Sequence, residues 1–135
     1  MRLSEHFSDD EFRCHCREKG HDGPEFCGGK VWVSPTLVLQ LETLRARLGG
    51  HAITINSGCR CQAYNATLPG SASSSRHILG AAADIVVEGV PPDEVADEAE
   101  RMGFGGVGRY DTFTHVDVRE QRGRWDSRTK RPRSR

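Results

Sequence analysis

The sequence lacks three features that would each point to a particular class of protein. No stretch approaches the 18 or more apolar residues of a membrane-spanning helix, so we expect no membrane span. The amino terminus lacks the charged and then apolar pattern of a signal peptide. The run Gly105-Gly106-Val107-Gly108 lacks the lysine and the helix that follow a phosphate-binding loop, which excludes that function for these glycines.

Net charge is also absent, because 19 Lys and Arg residues balance 19 Asp and Glu residues, but the charge is unevenly distributed. Residues 119–135 hold eight basic and two acidic residues, a net of +6, which leaves −6 on the remainder. Such a basic segment either contacts an anionic polymer, such as nucleic acid, teichoic acid or lipopolysaccharide, or is a solubilising tail. Since 135 residues suit one domain, we expect a folded domain over 1–125 and a basic, disordered tail over 126–135.

Hydrophobic periodicity predicts both helices and strands. Ser34 and Pro35 suit the N-cap and first position of a helix whose leucines recur on one face as far as Leu48. A second helix starts at Pro91 and ends at Gly103. We therefore expect an α+β fold with a small, mainly antiparallel sheet and helices packed on one side. The predicted strands are 52–56, 82–87, 105–110 and 113–118, of which the last two form a hairpin.

Two histidine segments carry the strongest chemical signal. In the first, His77 lies in a loop that leads through Gly80 and small alanines to Asp84, at the entry to an apolar strand. In the second, His115 and Asp117 alternate with valines, so they share one face of a strand. Two histidines and a carboxylate hold catalytic zinc and leave the fourth position to water.

The same ligand types also bind Fe(II) in non-haem iron enzymes, where His-x-Asp comes from one strand, as His115 and Asp117 do. Two further alternatives are a cell-wall binding module that has lost catalysis and a nucleic-acid-binding zinc module. The second would show paired Cys-x₂-Cys motifs and basic residues through the folded body, whereas this body is acidic.

Four motifs in order carry a resemblance to a known family. They are Leu3-Ser4-Glu5-His6-Phe7 with Glu11-Phe12, then Ser57-Gly58-Cys59-Arg60, then Ser-x-His-x-x-Gly-x-Ala-x-Asp over 75–84, and Gly-Gly-x-Gly-x-Tyr-x-x-Phe-x-His-x-Asp-x-Arg over 105–119. Over roughly residues 3–125 the chain resembles the M15 family of zinc D-Ala-D-Ala carboxypeptidases and phage or bacterial peptidoglycan endopeptidases, and in particular its subfamily A. Cys59 stands where the family usually has tyrosine.

The resemblance implies a zinc metallopeptidase with the D-Ala-D-Ala carboxypeptidase (hedgehog/LAS) fold and one catalytic zinc held by His77, Asp84 and His115. Its substrates would be peptidoglycan stem peptides, cut at the terminal D-Ala-D-Ala bond or at an internal bond such as L-Ala-D-Glu. Arg60, in the family motif, is expected to act in catalysis and to bind a substrate carboxylate through its planar guanidinium. Ser75 is expected to position the loop and contact substrate.

The general base is open, because the family places it just before the last zinc histidine, where this chain has Thr112 and Phe113. Asp117 is the first candidate, since it lies two residues after His115 on the same strand face. Asp111, at the hairpin turn, is the second candidate. Asp117 could equally orient a metal ligand or Arg60.

The five cysteines allow three states: a structural zinc, disulfides or free thiols. A second, structural zinc would use Cys14, Cys16, Cys27 and Cys61, with His15 or His21 as substitutes. The Cys-x-Cys spacing is tighter than the usual Cys-x₂-Cys, which counts against this zinc.

We expect a monomer that is made in the cytoplasm without a signal peptide. A protein acting on the cell wall would then need release by phage lysis, as for an endolysin, delivery in a virion, or a leader that this sequence does not include.

Overall fold

The computed structural model describes residues 1–72 and 75–129. It contains a single sheet of five strands, and two of its three helices pack on one face. The helices are α1 (Pro35–Arg47), α2 (Gln62–Thr67) and α3 (Pro92–Met102), after a short 3-10 helix (Asp9–Phe12), and the strands are β1 (Ile53–Ser57), β2 (Ala82–Val87), β3 (Gly106–Arg109), β4 (Thr114–Asp117) and β5 (Gly123–Asp126).

The sheet is mixed, which corrects the expectation of a mainly antiparallel one. In the order β1-β2-β4-β3-β5, the first four strands pair antiparallel and β5 pairs parallel to β3. The reason is the path after β4: residues 118–122 pass the start of β3 and bring β5 back beside it in the same direction. Strand β5 is not predicted from the sequence, because Gly-Arg-Trp-Asp shows no apolar alternation.

Helix α1 confirms the predicted helix. The Ser34 side chain caps it by accepting a hydrogen bond from the Leu37 N–H, and Pro35 occupies the first position. Leu37, Leu41 and Leu44 are fully buried, and each contributes about 2 kcal/mol by burial. The face they form belongs to the core beneath the sheet.

Alternation along the strands gives the sheet two different faces. Ile85 of β2, Val107 of β3 and Val116 of β4 lie in the core beside α1 and α3. Their neighbours along the chain, Asp84 and His115, therefore point to the opposite face. The helices thus leave one face of the sheet available for polar groups.

The segment assigned to the basic tail begins inside the folded body. Asp126 ends β5, and the Ser127 N–H donates to the Arg109 carbonyl at 2.8 Å. Arg128 forms ion pairs with Asp93 and Asp126. The rest of the predicted tail, residues 130–135, lies outside the described residues. Within residues 1–72 and 75–129, no helix combines the length and apolar character needed to cross a membrane.

Candidate metal centre

Strand register brings the three predicted ligands together. Asp84 of β2 pairs directly with His115 of β4, and His77 reaches them from the loop before β2. Asp84 Oδ1 lies 3.2 Å from His77 Nε2 and 3.0 Å from His115 Nδ1. The three ligand atoms lie within 4.8 Å of one another, and all three residues are buried. We call this group the metal centre.

The outer nitrogen of each imidazole has a partner that fixes the tautomer. His77 Nδ1 donates to the Gly58 carbonyl at 2.7 Å, and His115 Nε2 donates to Asp117 Oδ2 at 2.7 Å. The inner nitrogens, His77 Nε2 and His115 Nδ1, therefore present lone pairs to an Asp84 oxygen. Three converging lone pairs repel one another unless a cation lies among them, either a proton that hydrogen-bonds the imidazole to Asp84 or a metal ion. The donor set thus fits a metal ion, with the outer partners that metal-bound histidines usually have.

The close contacts among these side chains also shift the pKa values of Asp84 and His115. Burial alone would raise the pKa of Asp84, but hydrogen bonds from His115 and His77 hold it well below its usual range. Burial lowers the pKa of His115, but hydrogen bonds to Asp117 and Asp84 outweigh this and raise it. A position that favours a proton between these groups favours a metal cation for the same electrostatic reason.

Asp117 lies behind His115 and does not line the cavity. It is fully buried and accepts from His115 and from three N–H groups of Arg119: the backbone N at 3.1 Å, Nε at 2.8 Å and Nη2 at 2.6 Å. Burial would raise the pKa of Asp117, but these hydrogen bonds hold it far below the ordinary value. Its carboxylate is placed to orient His115.

Two glycines of β3 make room for this arrangement. A Cβ at Gly106 would lie 2.3 Å from the Asp117 carboxylate, and a Cβ at Gly108 would lie 2.4 Å from the Trp125 ring. Register aligns Asp84, His115, Gly108 and Trp125 across four strands. Gly106 and Gly108 therefore leave room for the Asp117 carboxylate and the Trp125 ring.

Arg60 contacts the metal centre through the second carboxylate oxygen of Asp84. Its Nη2 donates to Asp84 Oδ2 at 3.1 Å, and its Nε and Nη1 donate to Ser57 Oγ and Asn65 Oδ1 at 3.1 and 3.2 Å. Three of its five N–H groups are used in these contacts. Arg60 thus fixes the second oxygen of Asp84 while also facing the cavity.

The loop that carries His77 is fixed at both ends. The Ser75 hydroxyl accepts a hydrogen bond from the His77 N–H at 3.2 Å. Gly80 has φ +68°, and a Cβ there would lie 2.5 Å from the Trp32 carbonyl oxygen, so the position requires glycine. The Trp32 indole N–H donates to the Ile78 carbonyl at 2.8 Å. These contacts explain why glycine follows three residues after the histidine.

A cavity of about 400 Å³ opens over the metal centre. Arg60, Arg76 and Arg119 give it cationic walls, and Ser75 also lines it. The aromatic wall consists of Tyr110 and Trp125, and the Trp125 indole N–H donates to the Tyr110 hydroxyl at 3.0 Å. The Trp125 ring centroid lies 4.9 Å from that of His115. The sequence analysis missed Trp125, whose one signal is a lone aromatic residue in a basic segment.

Asp111, the other candidate base, is not brought to the cavity. It is exposed and accepts from the Thr129 backbone N–H at 3.0 Å and the Thr129 hydroxyl at 2.7 Å. Among residues 1–72 and 75–129, Asp84 is therefore the one carboxylate that lines the cavity. Neither predicted base contacts the space where substrate would lie.

The structure also gathers the cysteines expected to share a metal. The sulfurs of Cys14, Cys16, Cys27 and Cys61, called the cysteine cluster below, lie within 4.8 Å of one another. The two histidines considered as substitutes lie apart from it: His15 Nδ1 contacts Glu18 at 3.1 Å, and the His21 ring stacks on Phe26.

Comparison with known proteins bears on the metal centre. The family model described as Peptidase M15 matches residues 5–117, which include all three residues of the metal centre. The chain is also similar to a protein of Haemophilus influenzae named probable peptidoglycan L,D-endopeptidase MepK, with 36% identity over 94 residues that cover 64% of this chain and 50% of the relative. The chain spans about half the length of that curated relative. The resemblance inferred from the four motifs is confirmed, and the chain belongs to the Peptidase M15 family.

Proposed function

We propose that this protein is a zinc-dependent peptidase that hydrolyses peptidoglycan stem peptides, with the hedgehog/LAS type of fold. The observation that carries the proposal is the convergence of His77, Asp84 and His115 lone pairs at the base of a cationic cavity. Family membership and the printed name of the relative support peptidoglycan as the substrate and an internal bond as the site of cleavage.

His77 Nε2, Asp84 Oδ1 and His115 Nδ1 would hold the zinc ion, which when bound polarises a carbonyl and lowers the pKa of water. Two imidazoles and one carboxylate are the ligand types of catalytic zinc, and the cavity leaves a side open for substrate. Asp117 keeps His115 in the tautomer with a free Nδ1, and Arg60 fixes the rotamer of Asp84.

Substrate orientation would come from the cationic wall. Arg60 has two N–H groups beyond its three contacts with the described residues, enough to bind one carboxylate of a stem peptide. Arg119 lies over the Trp125 ring, 5.1 Å from its centroid, and lines the same cavity. Stem peptides carry carboxylates, so a cavity lined by arginines complements them.

Tyr110 would assist the scissile group. Its hydroxyl oxygen accepts the Trp125 indole N–H, which leaves its own O–H to donate into the cavity. A donor there can stabilise the negative charge that develops on a carbonyl oxygen during hydrolysis. We assign Asp117 to positioning, because its hydrogen bonds leave it no access to substrate.

One observation favours a second function, a module that binds stem peptides without cutting them. Neither Asp111 nor Asp117 lines the cavity, so among residues 1–72 and 75–129 amide hydrolysis has no evident carboxylate base besides the metal ligand itself. Binding without cleavage would use the same arginines.

Mass spectrometry of the products from purified stem peptides tests the proposal. Zinc-loaded protein should cut an internal bond, whereas loss of a single alanine would indicate a carboxypeptidase. A chelated sample and His77→Ala should give no product, and His51→Ala, altered at an exposed histidine in the turn before β1, should match the wild type. Binding of the peptides without any product, at one zinc per metal centre, would contradict the peptidase and support the binding module.

A further inference from the structure

The sulfurs of the cysteine cluster have the spacing of a tetrahedral metal site. Cys14 Sγ lies 3.8 Å from Cys61 Sγ, and Cys16 Sγ lies 3.7 Å from Cys27 Sγ. Four thiolates at about 2.3 Å from a zinc ion would be separated by about 3.8 Å along each tetrahedron edge. A disulfide would need about 2.05 Å, so these distances suit a shared ion and not cross-linked pairs.

Backbone N–H groups surround the sulfurs. The Cys61 N–H donates to Cys14 Sγ at 3.3 Å, and the N–H groups of Gly28 and Gly29 interact with the sulfur of Cys16. Gly28 and Gly29 both have positive φ, +78° and +86°, which lets this loop turn its amides toward the cluster. Amide donors of this kind stabilise the negative charge that four thiolates bring to a metal.

The cluster is surrounded by packed side chains, with Cys27 and Cys61 half-buried, whereas the metal centre opens into a cavity. Cys14 and Cys16 are fully buried, and Tyr64, Phe26 and Trp32 pack around the group. Four protein ligands complete a tetrahedron and leave no position for water or substrate. This is the arrangement of structural zinc, and thiolate ligands select zinc over magnesium or calcium.

We propose that Cys14, Cys16, Cys27 and Cys61 bind a structural zinc ion, distinct from the ion of the metal centre. The ion would join the irregular segment 13–30 to the start of α2. Cys61 directly follows Arg60, whose guanidinium holds Asp84. The structural ion therefore also positions Arg60 beside the metal centre, although its existence does not depend on the proposed peptidase activity.

Metal content of the purified full chain tests this inference. Wild type equilibrated with zinc and then dialysed should hold two zinc ions, and His77→Ala should hold one. X-ray absorption of His77→Ala should show four sulfur neighbours at about 2.3 Å. No zinc in folded His77→Ala, nitrogen or oxygen neighbours only, or iron in place of zinc would overturn the assignment.

A matched pair of cysteine variants completes the test. Cys27→Ser should lose one zinc ion, and Cys59→Ser should lose none, because the Cys59 sulfur donates to the Lys30 carbonyl at 3.6 Å outside the cluster. If Cys27→Ser does not fold, a thiol reagent on native His77→Ala gives the answer. Modification should release its one zinc ion, and modification of four thiols without zinc release would refute the site.

Discussion

The metal centre and the cysteine cluster are linked by the neighbouring residues Arg60 and Cys61, but they are built on different kinds of backbone structure. Asp84 and His115 stand on paired strands, and backbone hydrogen bonds of the sheet set their spacing. The cysteine cluster draws three of its four residues from segment 13–30, which has no regular helix or strand. One site opens into a cavity and the other is enclosed by aromatic side chains.

This difference predicts which of the two sites keeps its geometry when no metal ion is bound. The sheet is stabilised by its own core, so we expect the strands that carry the metal centre to keep their register without an ion, and an ion bound there would be available for chemistry. Segment 13–30 buries few large apolar side chains, and its cysteines would repel one another as thiolates. We therefore expect metal to be required for function at the first site and for local folding at the second.

The largest expected effect comes from His77→Ala. Removing one of three metal ligands should reduce peptide cleavage to background, while the melting temperature in zinc-free buffer falls by no more than about 5 °C. Product analysis and thermal unfolding measured on the same sample check both parts. Loss of the cooperative unfolding transition would show that His77 is required for folding. That result would contradict the expectation that the first site needs its metal for function only.

Removing a ligand from the cysteine cluster should reduce stability more than His77→Ala does. We expect Cys27→Ser to lower the free energy of unfolding by about 3 kcal/mol in zinc-containing buffer, because an enclosed site loses its ion. Denaturant unfolding of this variant beside Cys59→Ser measures the effect. Equal losses for both would mean that thiol burial, and not metal binding, stabilises this region.

Asp117→Asn should weaken the metal centre without removing a ligand. The amide cannot hold the His115 Nε2–H as a carboxylate does, so we expect about a 10- to 100-fold loss of zinc affinity or activity. Asp111→Asn is the control, because Asp111 lies outside the cavity and bonds to Thr129. Competition with a zinc chelator gives the affinities, and an effect of Asp111→Asn equal to that of Asp117→Asn would contradict the positioning role.

The smallest expected effect is the loss of stability when Gly108, which lies against the Trp125 ring, is replaced. Gly108→Ala places a Cβ against the Trp125 ring and should cost about 1–3 kcal/mol of stability. In a Trp125→Ala background the same change should cost less, since the obstructing ring is absent. Unfolding of the four proteins in this cycle gives the coupling energy, and a coupling near zero would show that the ring is not the constraint.

Much of the fold followed from local signals. The cap at Ser34 and the leucine spacing gave helix α1. The strands bearing Asp84 and His115 were also predicted, the first from its apolar run and the second from the alternation of polar residues with valines. Strand β5 was not predicted, since its pairing with β3 comes from a chain path of five residues that no periodicity marks.

The sequence by itself determined the family and the identity and order of the candidate ligands, because residue type and spacing are properties of the chain. It named His77, Asp84 and His115 and the four cysteines before any geometry. Only the tertiary structure decided that Asp117 faces His115 and Arg119, that Asp111 lies elsewhere, and that Trp125 lines the cavity. The physical reason is that the pairing of β5 with β3 joins segments distant in sequence, which brings Trp125 to the cavity and Thr129 to Asp111. The contacts of Asp117 are local to its own segment, but they depend on side-chain rotamers that the packing around β4 sets.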